Sequence, residues 1–245
     1  MASYVMGDIH GEYEMLQELL GKMNLNEGDT LYVMGDLIDR GPYPARVLRK
    51  LMEMKGCICL MGNHEDMALA CRKFLLCNTE KITEELYDQY TGEDADKLFD
   101  WMNNGYGTTV RDFHDRLFSS EDREKMVDFM EGFPRYKELD VSGQKYILVH
   151  AGLGHFDREK RLRDYSPHDL LWMRAYYNEI YFEDRILVTG HTPTQYIDEN
   201  PNPGYIYRKN NHIALDCGAY IPGGRLAAIC LDTGEEFYSS ENSGK

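Results

Sequence analysis

Five short polar motifs each close an apolar run, and this arrangement limits the folds open to the chain more than any other feature. They are Gly7-Asp8-Ile9-His10-Gly11, Gly35-Asp36-Leu37-Ile38-Asp39-Arg40-Gly41, Gly62-Asn63-His64-Glu65, Val149-His150-Ala151-Gly152 and Thr189-Gly190-His191-Thr192-Pro193. The runs ahead of the first three, Tyr4 to Met6, Leu31 to Met34 and Cys57 to Met61, read as strands. The stretches behind them, Glu12 to Met23, Ala45 to Met54 and Met67 to Leu76, carry apolar residues at helical spacing. Three consecutive strand-loop-helix units predict an α/β fold with largely parallel strands. In open α/β sheets ligands bind beyond the carboxyl ends of the strands, which is where these motifs fall.

From about residue 72 to 133 the rhythm breaks. Acidic turns (Thr79-Glu80-Lys81, Gly92-Glu93-Asp94) and aromatic anchors at Phe99, Trp101 and Phe129 predict a helical insertion. Tyr146 to Val149, Ile186 to Thr189, His212 to Asp216, Leu226 to Leu231 and Glu236 to Tyr238 return to strands, with one clear helix near Pro167 to Tyr177, and a second, mostly antiparallel sheet is expected. The Ser/Asn/Gly end from about Ser239 reads as a flexible tail. At 245 residues and 42% hydrophobic content, residues 1–245 are expected to form one catalytic domain.

Lys+Arg total 27 against 42 Asp+Glu, a net charge of −15 that argues against nucleic acid or an anionic membrane as partner while leaving room for a local phosphate pocket. The acidic stretch from Glu84 to Asp100 reads as a solvated face, and the 18 tyrosines, with Tyr176-Tyr177 and Tyr181 clustered, as packing against the sheet. Six scattered cysteines lack the paired spacing of a structural zinc site and read as reduced thiols, Cys57 and Cys59 facing one side of a strand. Met1-Ala2-Ser3 leads straight into a strand with no basic region or signal-length apolar run, so the expected location is cytoplasmic.

An Asp in a Gly-rich turn is most often a turn former. Asp8 and His10, two apart past a strand, can nevertheless converge on one ion. Asp36, in a second Gly-Asp turn, supplies a carboxylate able to bridge two cations roughly 3.5–4 Å apart. Asn63 adds a neutral oxygen, and His150 and His191 follow apolar runs at two further strand ends. Oxygen and imidazole donors without thiolates suit Mn²⁺, Fe²⁺ or Zn²⁺ better than Ca²⁺.

In this order the motifs resemble those of the metal-dependent phosphoprotein phosphatases within the calcineurin-like metallophosphoesterases. The resemblance runs from Gly7 to about Leu226. It includes Asn104-Gly105 with Thr108-Thr109, Leu170-Leu171-Trp172-Met173-Arg174, and Asp216-Cys217-Gly218-Ala219 with Gly223-Gly224. It is strongest to the bacterial serine/threonine phosphatase-like and diadenosine tetraphosphatase-like branch. It implies a four-layer α/β/β/α sandwich of two mixed sheets. It places Asp8 and His10 on one metal, Asp36 between two, and Asn63, His150 and His191 on the second, the pair being two divalent transition-metal ions, with Mn²⁺ first and Fe or Zn as alternatives. His64 becomes the proton donor, oriented by Asp39, with Arg40, Arg174 and Asn63 on the phosphate.

The implied reaction is attack on a phosphate monoester by a metal-bridging hydroxide, most naturally on phosphoserine or phosphothreonine of a phosphoprotein, or on a small phosphorylated substrate. The alternative is symmetrical hydrolysis of diadenosine tetraphosphate. Two features lean against it: Asp39 stands where that class typically has a small apolar residue, and Thr192-Pro193 where it typically has an aromatic. A catalytically silent phosphate-binding scaffold is a third reading, which the intact ligand set disfavours.

Overall fold

The computed structural model describes residues 1–77, 91–115 and 117–244. The expected turn Thr79-Glu80-Lys81 and residues 84–90 of the acidic stretch lie outside the described residues. Strands β1 (Ser3–Met6), β2 (Thr30–Val33) and β3 (Cys57–Cys59) alternate with helices α1 (Tyr13–Met23), α2 (Pro44–Met52) and α3 (Asn63–Ala70), the last followed by α4 (Arg72–Leu76). Helices α5 (Glu93–Asn103), α6 (Gly107–Phe113) and α7 (Ser120–Glu131) come next. Strands β4 (Tyr136–Val141) and β5 (Gln144–Val149), helix α8 (Pro167–Leu171), and strands β6 (Arg185–Thr189), β7 (Tyr207–Lys209), β8 (His212–Ala214), β9 (Ala227–Cys230) and β10 (Glu236–Tyr238) complete the order.

The strands form two five-stranded mixed sheets, ordered β10-β9-β1-β2-β3 and β4-β5-β6-β8-β7. In the first, β1, β2 and β3 are parallel and β9 and β10 are antiparallel additions. The second is not mostly antiparallel as expected. Its centre, β5, β6 and β8, is parallel, with antiparallel edges β4 and β7, and the predicted strands at 226–231 and 236–238 join the first sheet instead. The connections from β5 to β6 and from β6 to β8 are long enough for parallel return, which periodicity alone does not reveal.

Alternation along the strands builds the layers. Val5, Tyr32, Tyr146, Leu148, Val188, Ile213, Ala227 and Ile229 pack together between the sheets. The intervening Met6, Leu31, Val33 and Ala228 of the first sheet and Ile147, Val149 and Leu187 of the second belong instead to the core that takes in helix residues such as Leu16, Leu19, Leu48, Leu51, Leu170 and Leu171. This is the four-layer α/β/β/α sandwich of two mixed sheets that the resemblance implies.

Local chemistry sets the helix ends. Asn24 ends α1 in the left-handed conformation with its N–H on the Leu20 carbonyl, Pro44 opens α2, and Ser119-Asp122 and Ser166-Asp169 are capping boxes for α7 and α8. The predicted helix 167–177 stops at Leu171, and 67–76 is divided at Cys71.

The expected free tail is instead tied down. Ser239 N–H donates to the Leu226 carbonyl at 2.9 Å and Asn242 N–H to the Gly224 carbonyl at 2.7 Å. Composition signals disorder there only because it does not see these partners. All six cysteines are free, with the Cys57 and Cys59 sulfurs 3.8 Å apart. No helix among the described residues is long and apolar enough to cross a membrane.

Candidate metal centre

The site forms where the carboxyl ends of β1, β2, β5 and β6 meet the start of α3. Its loops carry left-handed backbone at side-chain-bearing residues: His10 (φ 46), Asp36 (φ 51), Asp39 (φ 67), Arg40 (φ 68) and His191 (φ 61). Each such residue costs about 1–2 kcal/mol and persists only where the surroundings hold it. Hydrogen bonds between the loops do so: Ile9 and His10 N–H both donate to the Asp36 carbonyl, at 3.1 and 2.8 Å, and Gly41 N–H to the His10 carbonyl at 2.9 Å. Gly62 and Gly190 are required for close approach, since a Cβ would collide with Oδ1 of Asp36 at one and Oδ1 of Asp8 at the other.

Buried Glu65 ties α3 to the β2 loop. Its carboxylate accepts the N–H groups of Asp36 (2.8 Å), Leu37 (2.8 Å), Ile38 (3.3 Å) and Gly62 (3.0 Å). Burial and the Asp36 charge push its carboxyl up to about 7, against the pull of these amides. Glu65→Ala strands four backbone donors and is expected to cost about 3 kcal/mol of stability in the metal-free protein, read from urea denaturation. An unchanged midpoint would contradict this.

Around Asp36 the expected ligands His10, Asn63, His150 and His191 gather, while Asp8 is tied to the group through the His191 backbone and belongs to neither donor cluster. His10 donates Nδ1–H to the Ile38 carbonyl at 3.0 Å, which turns its Nε2 to within 3.5 Å of Asp36 Oδ2. His150 donates Nδ1–H to the Met34 carbonyl at 2.8 Å, leaving Nε2 at 3.3 Å from Asp36 Oδ1 and 3.0 Å from Asn63 Oδ1. His191 Nδ1 lies 3.0 Å from the same Asn63 oxygen, and its backbone N–H donates to Asp8 Oδ2 at 2.8 Å. Asp8 Oδ1 is buried without a partner.

Among the described residues, two clusters of nitrogen and oxygen donors able to hold a cation, His10-Asp36-His64 and Asp36-His150-His191, share Asp36. Burial, then the neighbouring charge of Asp216, raises Asp8 well above the carboxylate range, and burial pushes Asp216 up to about 6. Burial, with His64 alongside, lowers His10 well below the usual imidazole range; burial, with His150 alongside, lowers His191 to about 3. Burial would raise Asp36, yet the His150 and His64 imidazoles hold it well below its ordinary value. Burial also opposes charge on His150, yet Asp36 lifts it to about 10.

The lowered imidazoles of His10 and His191, the crowded carboxylates and the orphaned Asp8 oxygen fit two divalent cations, whose binding would displace the proton that Asp36 holds on His150. At 100 times its Kd a bound metal adds about 2.7 kcal/mol, a Tm rise of roughly 5–10 °C for this chain length. Calorimetry with and without chelator measures it, and an unmoved Tm would mean that no cation is held.

His64 donates Nδ1–H to Asp39 Oδ2 at 2.6 Å. Its Nε2 is buried, without a hydrogen-bond partner, 3.9 Å from Asp36 Oδ2. Arg40 sets its guanidinium 4.3 Å over the Tyr220 ring with Nη1 3.1 Å from His10 Nε2. Arg174 Nη1 donates to Thr192 Oγ1 at 2.9 Å and to the His191 carbonyl at 3.2 Å. Both arginines line a cleft of about 230 Å³ with Asp36, Asn63, Trp172 and Tyr196. A larger groove of about 610 Å³ on the second sheet holds none of the motif residues, and Arg161 and Arg185 on its wall are paired with Asp164 and Asp184.

Glu65, Asp216 and Tyr220 were not assigned from sequence although Glu65 and Asp216 lie inside quoted motifs. Their partners come from other loops, and no local spacing reports them.

A family model for calcineurin-like phosphoesterases matches residues 1–217, and the chain belongs to that family of metal-dependent hydrolases. Among curated relatives, the symmetrical bis(5'-nucleosyl)-tetraphosphatases of Hamiltonella defensa and Pseudomonas putida strain F1 are 38% and 35% identical over 104 and 106 residues. Each match takes in 42% of this chain, and spans only 37% and 35% of the respective relative's length. Among solved structures, a candidate diadenosine tetraphosphatase superposes with TM-score 0.64 at 18% identity, over 99% of this chain and 94% of that one. A Saccharomyces cerevisiae serine/threonine phosphatase with similarity to human PP5 gives TM-score 0.55 at 15% identity, over 99% and 81%. At such identities these structures speak for the fold alone.

Proposed function

We propose that the chain is a di-metal phosphomonoesterase acting on phosphoserine and phosphothreonine. The observation that carries this reading is the His64-Asp39 pair, with Nδ1 engaged by a carboxylate and Nε2 unpartnered beside Asp36. An alkoxide leaving group needs a proton as the P–O bond breaks, whereas a nucleoside diphosphate leaves as a stable anion. A buried imidazole aimed and held by a carboxylate serves the first need.

Asp8, His10, Asp36, Asn63, His150 and His191 would hold the two ions, which we take to be Mn²⁺, with Fe or Zn as alternatives. When bound, the cations supply the nucleophile at neutral pH and neutralise charge on the phosphoryl oxygens. Arg40 and Arg174 turn planar forks to those oxygens, Asn63 lines the same cleft, and His64 gives its Nε2 proton to the leaving oxygen.

Diadenosine tetraphosphate is the second reading. The aromatic rings of Trp172, Tyr196 and Tyr220 on the cleft favour it, as do the names of the curated relatives. The metal-reconstituted chain is expected to turn over a phosphothreonine peptide with higher kcat/KM than diadenosine tetraphosphate. The reverse order would make the dinucleotide the substrate. Turnover of neither, nor of p-nitrophenyl phosphate, would leave the silent scaffold.

A further inference from the structure

Asp39 is held from a direction that its own motif does not supply. Besides His64, its Oδ2 accepts the indole N–H of Trp101 at 2.8 Å, and its Oδ1 accepts the hydroxyl of Thr109. The same Thr109 oxygen accepts the Asp39 N–H at 2.9 Å, closing a ring of hydrogen bonds, and the next residue, Arg40, donates its N–H to the Gly105 carbonyl at 3.3 Å. All of these partners lie on α5, α6 or the turn between them.

The mount is rigid. Trp101 and Thr109 are fully buried with Asp39 and His64, and Leu98 and Phe113 anchor the two helices in the core. Asp112 on α6 accepts the Ala45 N–H at 2.8 Å and so docks the segment on the first turn of α2. Asp39 and Arg40 are consecutive left-handed residues, a backbone that needs outside support, and Thr109 and Gly105 provide it.

We propose that Trp101 and Thr109 are positioning residues for leaving-group protonation. They fix the Asp39 carboxylate, Asp39 fixes the His64 ring, and segment 93–113 thereby sets how well Nε2 reaches the leaving oxygen. This inference rests on the reading of His64 as the proton donor.

Its signature is a dependence on leaving group that a general loss of structure does not produce. Thr109→Val, which is nearly isosteric, and Trp101→Phe, which keeps a six-membered aromatic ring but leaves a small cavity, both remove the donor and are expected to slow kcat on a phosphothreonine peptide by about 10–100-fold, the range for partners that orient a working side chain. On p-nitrophenyl phosphate, whose leaving group needs little protonation, the same variants stay within about threefold. Thr109→Ser restores the peptide rate, and two metal ions per chain are retained in every variant by elemental analysis.

Equal losses on both substrates, a peptide rate that does not fall, or lost metal would overturn the inference. Asp39→Asn separates this from the reading beneath it. If Asp39→Asn slows the peptide selectively and the Trp101 and Thr109 variants do not, only the positioning role fails. If Asp39→Asn shows no selectivity, the acid role of His64 fails and the inference falls with it.

Discussion

His64→Asn is expected to lower kcat on a phosphothreonine peptide by about 10²–10⁴-fold, the range of a lost general acid, while two metal ions per chain remain bound. The geometry makes the second half of this expectation a real test. His64 Nε2 lies 3.9 Å from Asp36 Oδ2, and the ring sits 4.7 Å from His10, so His64 belongs by position to one of the clusters able to hold a cation. What separates it from the other imidazoles is the partner behind it. His10 and His150 point Nδ1 at backbone carbonyls, whereas His64 points Nδ1 at a carboxylate. Parallel losses of turnover and metal in His64→Asn would make it a ligand. Lost turnover with intact metal would make it the acid.

Asp36→Asn is expected to remove nearly all activity, on the order of 10³-fold or more in kcat/KM, corresponding to several kcal/mol of transition-state stabilisation. Here metal content falls as well, to one ion per chain or fewer. Asp36 is the one side chain shared by both donor clusters, with Oδ2 3.5 Å from His10 Nε2 and Oδ1 3.3 Å from His150 Nε2. Asparagine is nearly isosteric and can still accept the His64 N–H that Oδ1 accepts at 3.1 Å, so the fold is preserved and the missing charge is what the experiment reads. Full metal content with full activity would exclude Asp36 as the shared carboxylate.

Local sequence chemistry determined the strand-loop-helix rhythm of the first three units and the points where side chains leave the strand ends. Each turn alone is a weak signal, an apolar run followed by a residue that permits the turn, and only the recurrence of such turns at five strand ends singled out Asp8, Asp36, His150 and His191 as candidate ligands. The edge strands β4 and β7 were not legible, because Lys137, Glu138, Arg208 and Lys209 make their local pattern polar, whereas the edges β3 and β10 were read from their apolar residues. The parallel centre of the second sheet and the transfer of β9 and β10 to the first were decided by long connections that local patterning does not describe. The hold of Glu65 on the Asp36 loop and of Trp101 and Thr109 on Asp39 were also decided only by tertiary structure. Those partners are 29, 62 and 70 residues apart in the chain, and a hydrogen bond across such a distance depends on how whole elements pack rather than on any spacing within one of them.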